Sequence, residues 1–76
     1  MAVQAYVLTR VAVGSVEKVS QEISKIPGVK SVHKVTGRYD LIILVEAEDI
    51  SSLGRFIISK IHSVEGVERT ETAIIV

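Results

Sequence analysis

The residues of this sequence best suited to binding chemistry lie in the segment Gly37-Arg38-Tyr39-Asp40. Its composition predicts a hairpin turn, with positive φ at Gly37, a packed Tyr39 ring and Asp40 accepting backbone hydrogen bonds where the next strand starts. The same carboxylate and the exposed backbone of the turn also suit a small zwitterion, because Asp40 would meet an ammonium group. The segment therefore supports two interpretations, a purely structural turn or an amino acid site at a subunit interface.

Outside this turn, the residue spacing indicates no catalytic or cofactor site. No serine lies in a nucleophile-elbow motif, and the five glycines are isolated rather than gathered into a phosphate-binding loop. His33 and His62 have no partner ligand at metal-binding spacing, and there is no cysteine. We therefore expect no catalytic residue, no metal and no cofactor, and we interpret both histidines as structural or solvent-facing.

Composition limits the classes of partner that this chain can have. The 76 residues suffice for one domain over residues 1–76, and nine basic residues balance nine acidic ones, so attraction to nucleic acid phosphates is weak. The few aromatic residues are not interleaved with basic ones as a base-stacking surface requires. No apolar run approaches the roughly 18 residues of a membrane span, and the start lacks a signal-peptide pattern. We expect a cytoplasmic protein that binds neither nucleic acid nor membrane.

Hydrophobic periodicity predicts the order strand, helix, strand, strand, helix, strand. The strands are expected at residues 2–13, 29–35, 40–47 and 67–76. The first helix should begin at a Ser15 cap and end at Pro27-Gly28, and the second should begin at an Asp49 cap and end at Gly66. Within the second helix we expect Gly54 to mark close packing. The buried stripe of that helix is predicted to comprise Ile50, Leu53, Ile57, Ile61 and Val64, widened by Phe56 and Ile58.

The two halves of the chain echo each other, since Ile23-Ser24-Lys25-Ile26 reappears as Ile58-Ser59-Lys60-Ile61. Right-handed crossovers then give an α+β, ferredoxin-like βαββαβ fold with strand order 4-1-3-2 and both helices on one face of the antiparallel sheet. The first and third strands are apolar on both faces, which one helix layer cannot cover. We expect the second face to pair with that of another copy in a dimeric α+β barrel, burying about 800 Å² per chain.

Three segments of the sequence resemble a known family. They are Val35 to Ile43, which contains the Gly37 to Asp40 turn, the preceding Ile26-Pro27-Gly28-Val29, and the stretch from Val64 to Thr72. Together they resemble the effector-binding RAM domain of the Lrp/AsnC transcription regulators over almost the whole chain. The resemblance implies dimers joined through their sheets, rings of dimers, and an amino acid effector bound between dimers near the turn. The ligand-binding residues that it implies are Gly37, Arg38, Tyr39, Asp40, Thr70 and Thr72.

Arg38 departs from the acidic or polar residue that is frequent at its position in the family. The sequence also enters its first strand at Ala2, where typical members carry a helix-turn-helix domain, so we expect a stand-alone member without its own DNA-binding domain. Three functions are open. The first is an amino acid sensor or accessory in transcription regulation, the second is a ligand-independent assembly partner of full-length regulators, and the third is a dimeric ferredoxin-like barrel enzyme. The aliphatic sheet face ranks the enzyme last.

Overall fold

The structure, a computed structural model, describes residues 2–76. The strands are β1 (Val3–Val11), β2 (Val29–Lys34), β3 (Leu41–Ala47) and β4 (Val67–Ile74), and the helices are α1 (Val16–Ser24) and α2 (Ile50–Phe56), the latter followed directly by a π-helical turn (Ile57–Ile61). The four strands pair antiparallel in the order β2-β3-β1-β4. This order confirms the predicted ferredoxin-like topology. No helix within residues 2–76 is long and apolar enough to span a membrane.

The core lies between the helices and one face of the two central strands. Odd-numbered residues of β1 and β3 point to this face, and they pack in a single cluster with residues from both helices. The sequence left open whether the odd-numbered or the even-numbered residues of these strands face the helices. In the structure the odd-numbered residues face them. The fully buried members of the cluster include Ala5, Val7, Ile43, Val45, Val19, Ile23, Leu53 and Ile61.

The even-numbered residues of the central strands form the opposite face of the sheet. Tyr6 pairs with Leu44 and Leu8 with Ile42 across β1 and β3, so four large apolar side chains are neighbours on that face. Tyr6 keeps 43% of its surface exposed, and the other three are half-buried. No helix within residues 2–76 covers this face, because both helices pack on the other one.

Strand β4 contains one extra residue relative to its partner. Thr9 of β1 pairs with Thr70 of β4, and Val11 of β1 pairs with Val67 of β4. The step between these pairs is two residues along β1 but three along β4. Cross-strand partners share a face of the sheet, so Val67 and Thr70 both point toward the helices despite their opposite parity. A β-bulge therefore sets which side chains of β4 face the helix layer.

The two helices start differently. Asp49 caps α2 as predicted, because its carboxylate Oδ1 accepts a hydrogen bond of 2.7 Å from the backbone N–H of Ser52, which holds the pKa of that carboxyl below its usual value. The predicted Ser15 cap of α1 is wrong. Ser15 has φ −107° and ψ 1° instead of extended angles, and its side chain makes no capping hydrogen bond. It packs instead against Gly66, where an added Cβ would lie 3.2 Å from the Ser15 Cβ.

The buried stripe of the second helix is narrower than predicted. Leu53, Ile57 and Ile61 are buried at intervals of four residues, whereas Ile50 and Ile58 are 62% and 68% exposed. These two side chains lie on the flank of the helix that faces the edge strand β4, where nothing within residues 2–76 covers them. The predicted close packing at Gly54 is also wrong, because a Cβ added there would meet no atom within 4 Å.

Replacing Ile23 by alanine should lower the free energy of unfolding by about 2–5 kcal/mol, since Ile23 is fully buried between α1 and the sheet and its truncation leaves a cavity. Urea denaturation at fixed protein concentration measures this loss. Val13→Ala is the control, because Val13 is fully exposed and should change stability by less than about 0.5 kcal/mol. Equal effects of the two variants would contradict the assigned core.

Candidate functional site

The turn between β2 and β3 is tied to the central strand β1. Gly37 has φ +116°, as the hairpin interpretation required, and an added Cβ would touch nothing, so the glycine is needed for its backbone angle alone. The backbone N–H of Asp40 donates to the Thr9 carbonyl at 2.9 Å. The Asp40 carboxylate accepts a hydrogen bond of 2.8 Å from the N–H of Val11 through Oδ2. Asp40 therefore has the structural role that its position predicted.

The turn still presents unused hydrogen-bonding groups. The backbone N–H groups of Gly37, Arg38 and Tyr39 donate no hydrogen bond to any atom of residues 2–76. Only Oδ2 of Asp40 is engaged in that part of the chain, which leaves Oδ1 able to accept. A series of free N–H groups beside a free carboxylate oxygen matches the carboxylate and the ammonium group of an amino acid.

The side chains of Arg10 and Glu71 also hold the turn in place, and the sequence predicted neither contact. The Arg10 guanidinium donates through Nη1 to the carbonyls of Gly37, at 3.3 Å, and of Arg38. The Tyr39 hydroxyl donates to the Glu71 carboxylate of β4, so the tyrosine reaches across the end of β1. In the sequence Arg10 was only a polar exception in an apolar strand, and no local spacing links Glu71 to Tyr39. The strand pairing alone brings them together.

A second candidate region is a groove of about 340 Å³ between the second helix and β4. Thr70 and Thr72, two of the predicted ligand-binding residues, line one wall, while none of the residues of the Gly37 to Asp40 turn lines it. Within a single chain the predicted site residues therefore fall into two groups, one on the turn and one in the groove. The groove is lined by Ile50, Leu53, Gly54, Ile57, Ile58, His62, Thr70, Thr72 and Ile74.

The π-helical turn places His62 at the mouth of this groove. The His62 N–H donates to the carbonyl of Ile57, five residues earlier, at 2.9 Å, where an α-helix would use the carbonyl four residues earlier. The His62 ring is hydrogen-bonded through Nε2 to the hydroxyl of Thr70. Sequence analysis interpreted His62 as structural or solvent-facing and did not connect it with Thr70, since the contact depends on a helical irregularity that hydrophobic spacing does not encode.

A third depression, at the other end of the sheet, is lined by Ala2, Glu46, Ala47, Glu48 and Asp49. Two of its acidic groups already have partners, since the Asp49 carboxylate caps α2 and Glu46 accepts a hydrogen bond of 3.1 Å from Gln4. Within residues 2–76 no group of three or more histidine, cysteine, aspartate or glutamate side chains is arranged to hold a metal ion.

The fold and these two regions define a ferredoxin-like domain with the features of a small-molecule binding module. Residues 4–76 match the model of the Lrp/AsnC ligand binding domain, and the chain belongs to that family. This confirms the family that the three sequence segments indicated.

The chain is similar to part of several HTH-type transcription regulators. It is 39% identical to an uncharacterized HTH-type transcriptional regulator of Pyrococcus horikoshii over 57 residues, which are 75% of this chain and 38% of that protein. It is 41% identical over 58 residues, 76% of this chain, to the HTH-type transcriptional regulator LysM of Saccharolobus solfataricus, spanning 40% of its length. A homocitrate synthase of Sulfurisphaera tokodaii is 42% identical over 75% of this chain, but only 12% of the enzyme is matched.

Solved structures of similar size share the whole fold. The crystal structure of FFRP-DM1 superposes with a TM-score of 0.92 at 34% identity, covering 97% of this chain and 99% of that one. The structure of TTHA0845 from Thermus thermophilus has a TM-score of 0.91 at 39% identity, with 97% and 92% of the two chains covered.

Replacing Asp40 by alanine should lower the free energy of unfolding by about 1–3 kcal/mol even without any ligand, because the part-buried N–H of Val11 loses its acceptor. Thermal or urea unfolding of the purified variant measures the loss. The exposed Glu48→Ala is the matched control for removal of a carboxylate and should be close to neutral. An Asp40→Ala variant as stable as the wild type would mean that this hydrogen bond contributes nothing to folding.

Proposed function

We propose that the chain is an amino-acid-binding, homo-oligomeric module of Lrp/AsnC-type transcription regulation, acting in the cytoplasm without catalysis or DNA binding of its own. The observation that carries this proposal is the division of the predicted site residues between two regions. The turn offers free N–H groups and the Asp40 carboxylate, and the groove offers Thr70, Thr72 and an apolar wall. A complete site forms when the turn of one copy lies against the groove of another.

The first step of the proposed assembly is a dimer through the uncovered sheet face. Tyr6, Leu8, Ile42 and Leu44 are neighbours there, and Ala73 of β4 pairs with Tyr6 to extend the patch. We propose that a second copy of the chain covers this face, because two apolar faces of the same composition can pack against each other. A stable interface of the usual size buries about 800 Å² per chain, and we expect two such faces to bury an area of that order. The resemblance to the family supports rings of these dimers, with the amino acid between them.

Leu8→Asp should convert the dimer into a monomer, because an unpaired charge at the centre of an apolar interface is costly to bury. Light scattering at several protein concentrations measures the mass. Gln21→Asp adds the same charge to the exposed surface of α1 and should leave the mass unchanged. A Leu8→Asp variant with the wild-type mass would show that the copies do not meet through this face.

Asp40→Asn separates the binding role of Asp40 from its structural role. The amide keeps an oxygen that can accept from Val11 but removes the charge that would meet an ammonium group. We expect at least one of the twenty amino acids to raise the melting temperature or change the mass of the wild type, since a ligand that binds the native assembly stabilises it. The Asn variant should melt near the unliganded wild type and respond much less.

The same experiment distinguishes the other functions. The hydrogen bond from Val11 to Asp40 explains the turn without any ligand, which favours a ligand-independent partner of full-length regulators as the second candidate. An oligomer that ignores all twenty amino acids would support that candidate, and a monomer would overturn both. The partial match to homocitrate synthase supports use of this module beside an enzyme, not an enzymatic role for the module itself.

A further inference from the structure

The side chain of Arg10 reaches the β2–β3 turn from the central strand β1. Through Nη1 its guanidinium donates to two successive carbonyls, that of Gly37 at 3.3 Å and that of Arg38. This nitrogen carries two hydrogens, so both hydrogen bonds can form at once. Arg10 therefore fixes the orientation of two adjacent peptide units, one between Gly37 and Arg38 and the other between Arg38 and Tyr39.

These two contacts also decide where the amide groups of the turn point. A peptide unit is planar, and no peptide bond of residues 2–76 is cis, so each N–H points away from the carbonyl of its own unit. Because both carbonyls point toward Arg10, the N–H groups of Arg38 and Tyr39 point to the opposite side of the turn. Neither of them donates a hydrogen bond to any atom of residues 2–76.

Successive backbone N–H groups that point to one side form a small concave site for an anion. We propose that Arg10 is the positioning residue of the amino acid site: it holds the N–H groups of Arg38 and Tyr39 toward the α-carboxylate of the ligand and does not touch the ligand itself. The inference rests on the proposed function and adds the residue that pre-organises its carboxylate contact. Donors that are already oriented cost less to order when a ligand binds.

The charge of Arg10 acts in the same direction as its geometry. Hydrogen bonds in a chain polarise one another, so a cation that donates to a carbonyl makes the N–H at the other side of that peptide unit a stronger donor. Both free N–H groups belong to peptide units whose carbonyls accept from Arg10. A carboxylate would therefore gain more from this turn than a neutral carbonyl group would.

The surroundings of Arg10 fit this role. Arg10 is the direct cross-strand partner of Arg69 in the pairing of β1 with β4, and two like charges in this position are destabilising by themselves. No carboxylate of residues 2–76 forms an ion pair with either arginine. The turn carbonyls are thus the acceptors that hold Arg10 in place. The Tyr39 hydroxyl, which donates to Glu71 of β4, secures the other end of the turn.

Arg10→Met tests the role, because it removes the donors and the charge but keeps an unbranched side chain at an exposed position. The probes are the twenty L-amino acids and their α-carboxamides, which keep the ammonium group and the side chain but carry no carboxylate. Calorimetric titration of the full 76-residue chain measures both affinities. In the wild type at least one amino acid should bind about tenfold more tightly than its carboxamide. Arg10→Met should lose this preference and bind the carboxamide as the wild type does.

Two further variants separate positioning from charge alone. Arg69→Met removes the same charge from the position directly opposite, but Arg69 makes no hydrogen bond to the turn, so the preference for the amino acid should stay as in the wild type. Arg10→Lys supplies an ammonium group that can also donate to both carbonyls, and it should restore part of the preference that Arg10→Met loses.

The outcomes also separate this inference from the proposed function. Equal weakening of both series of probes by Arg10→Met, or an unchanged preference, would overturn the positioning role, since a residue that only stabilises the turn affects both series alike. An equal loss of preference in Arg69→Met would overturn it too. Amino acids that bind the wild type no better than their carboxamides would overturn the inference and leave amino acid binding intact. Absence of binding by all twenty amino acids would overturn both.

Discussion

The pairing of β1 with β3 is the constraint on which the rest of the molecule depends. Seven residue pairs, from Val3 with Ala47 to Thr9 with Leu41, bring together two strands that are apolar on both faces. The odd-numbered face is buried by one layer of two helices, and residues 2–76 form no second layer for the even-numbered face. The register that builds the core thus also builds the surface through which we propose that copies associate.

The same central strand organises both candidate binding regions. Its end fixes the β2–β3 turn through the Thr9 carbonyl, the Val11 N–H and the Arg10 side chain. Its other edge pairs with β4, whose helix-facing threonines form a wall of the groove. The two regions lie on opposite sides of β1 and are rigidly spaced by it. In the proposed site the ligand lies between the turn of one copy and the groove of another, which would link binding to assembly.

Sequence analysis predicted the fold because hydrophobic alternation, glycine turns and the Asp49 cap all indicate the same element order. It also predicted that Asp40 accepts a backbone hydrogen bond at the start of its strand, but not that the donor is Val11, 29 residues away in sequence. It failed where partners are distant in sequence or a helix is irregular. Ile50 and Ile58 fit a helical stripe but are exposed, whereas Leu53, Ile57 and Ile61 of the same stripe are buried. The contact of His62 with Thr70 depends on a π-helical turn.

The β-bulge at the start of β4 determines which side chains of that strand face the helices and which face the other way. Because Val67 and Thr70 both face the helices, the residues after the bulge present Thr70, Thr72 and Ile74 to the groove and Arg69, Glu71 and Ala73 to the opposite face. If the same residues paired with β1 in unbroken register from Val67, without the bulge, the two sets would exchange faces. The wall of the groove would become charged and the sheet face would gain threonines, without a single substitution. One irregularity in the pairing thus decides both the lining of the groove and the composition of the opposite sheet face.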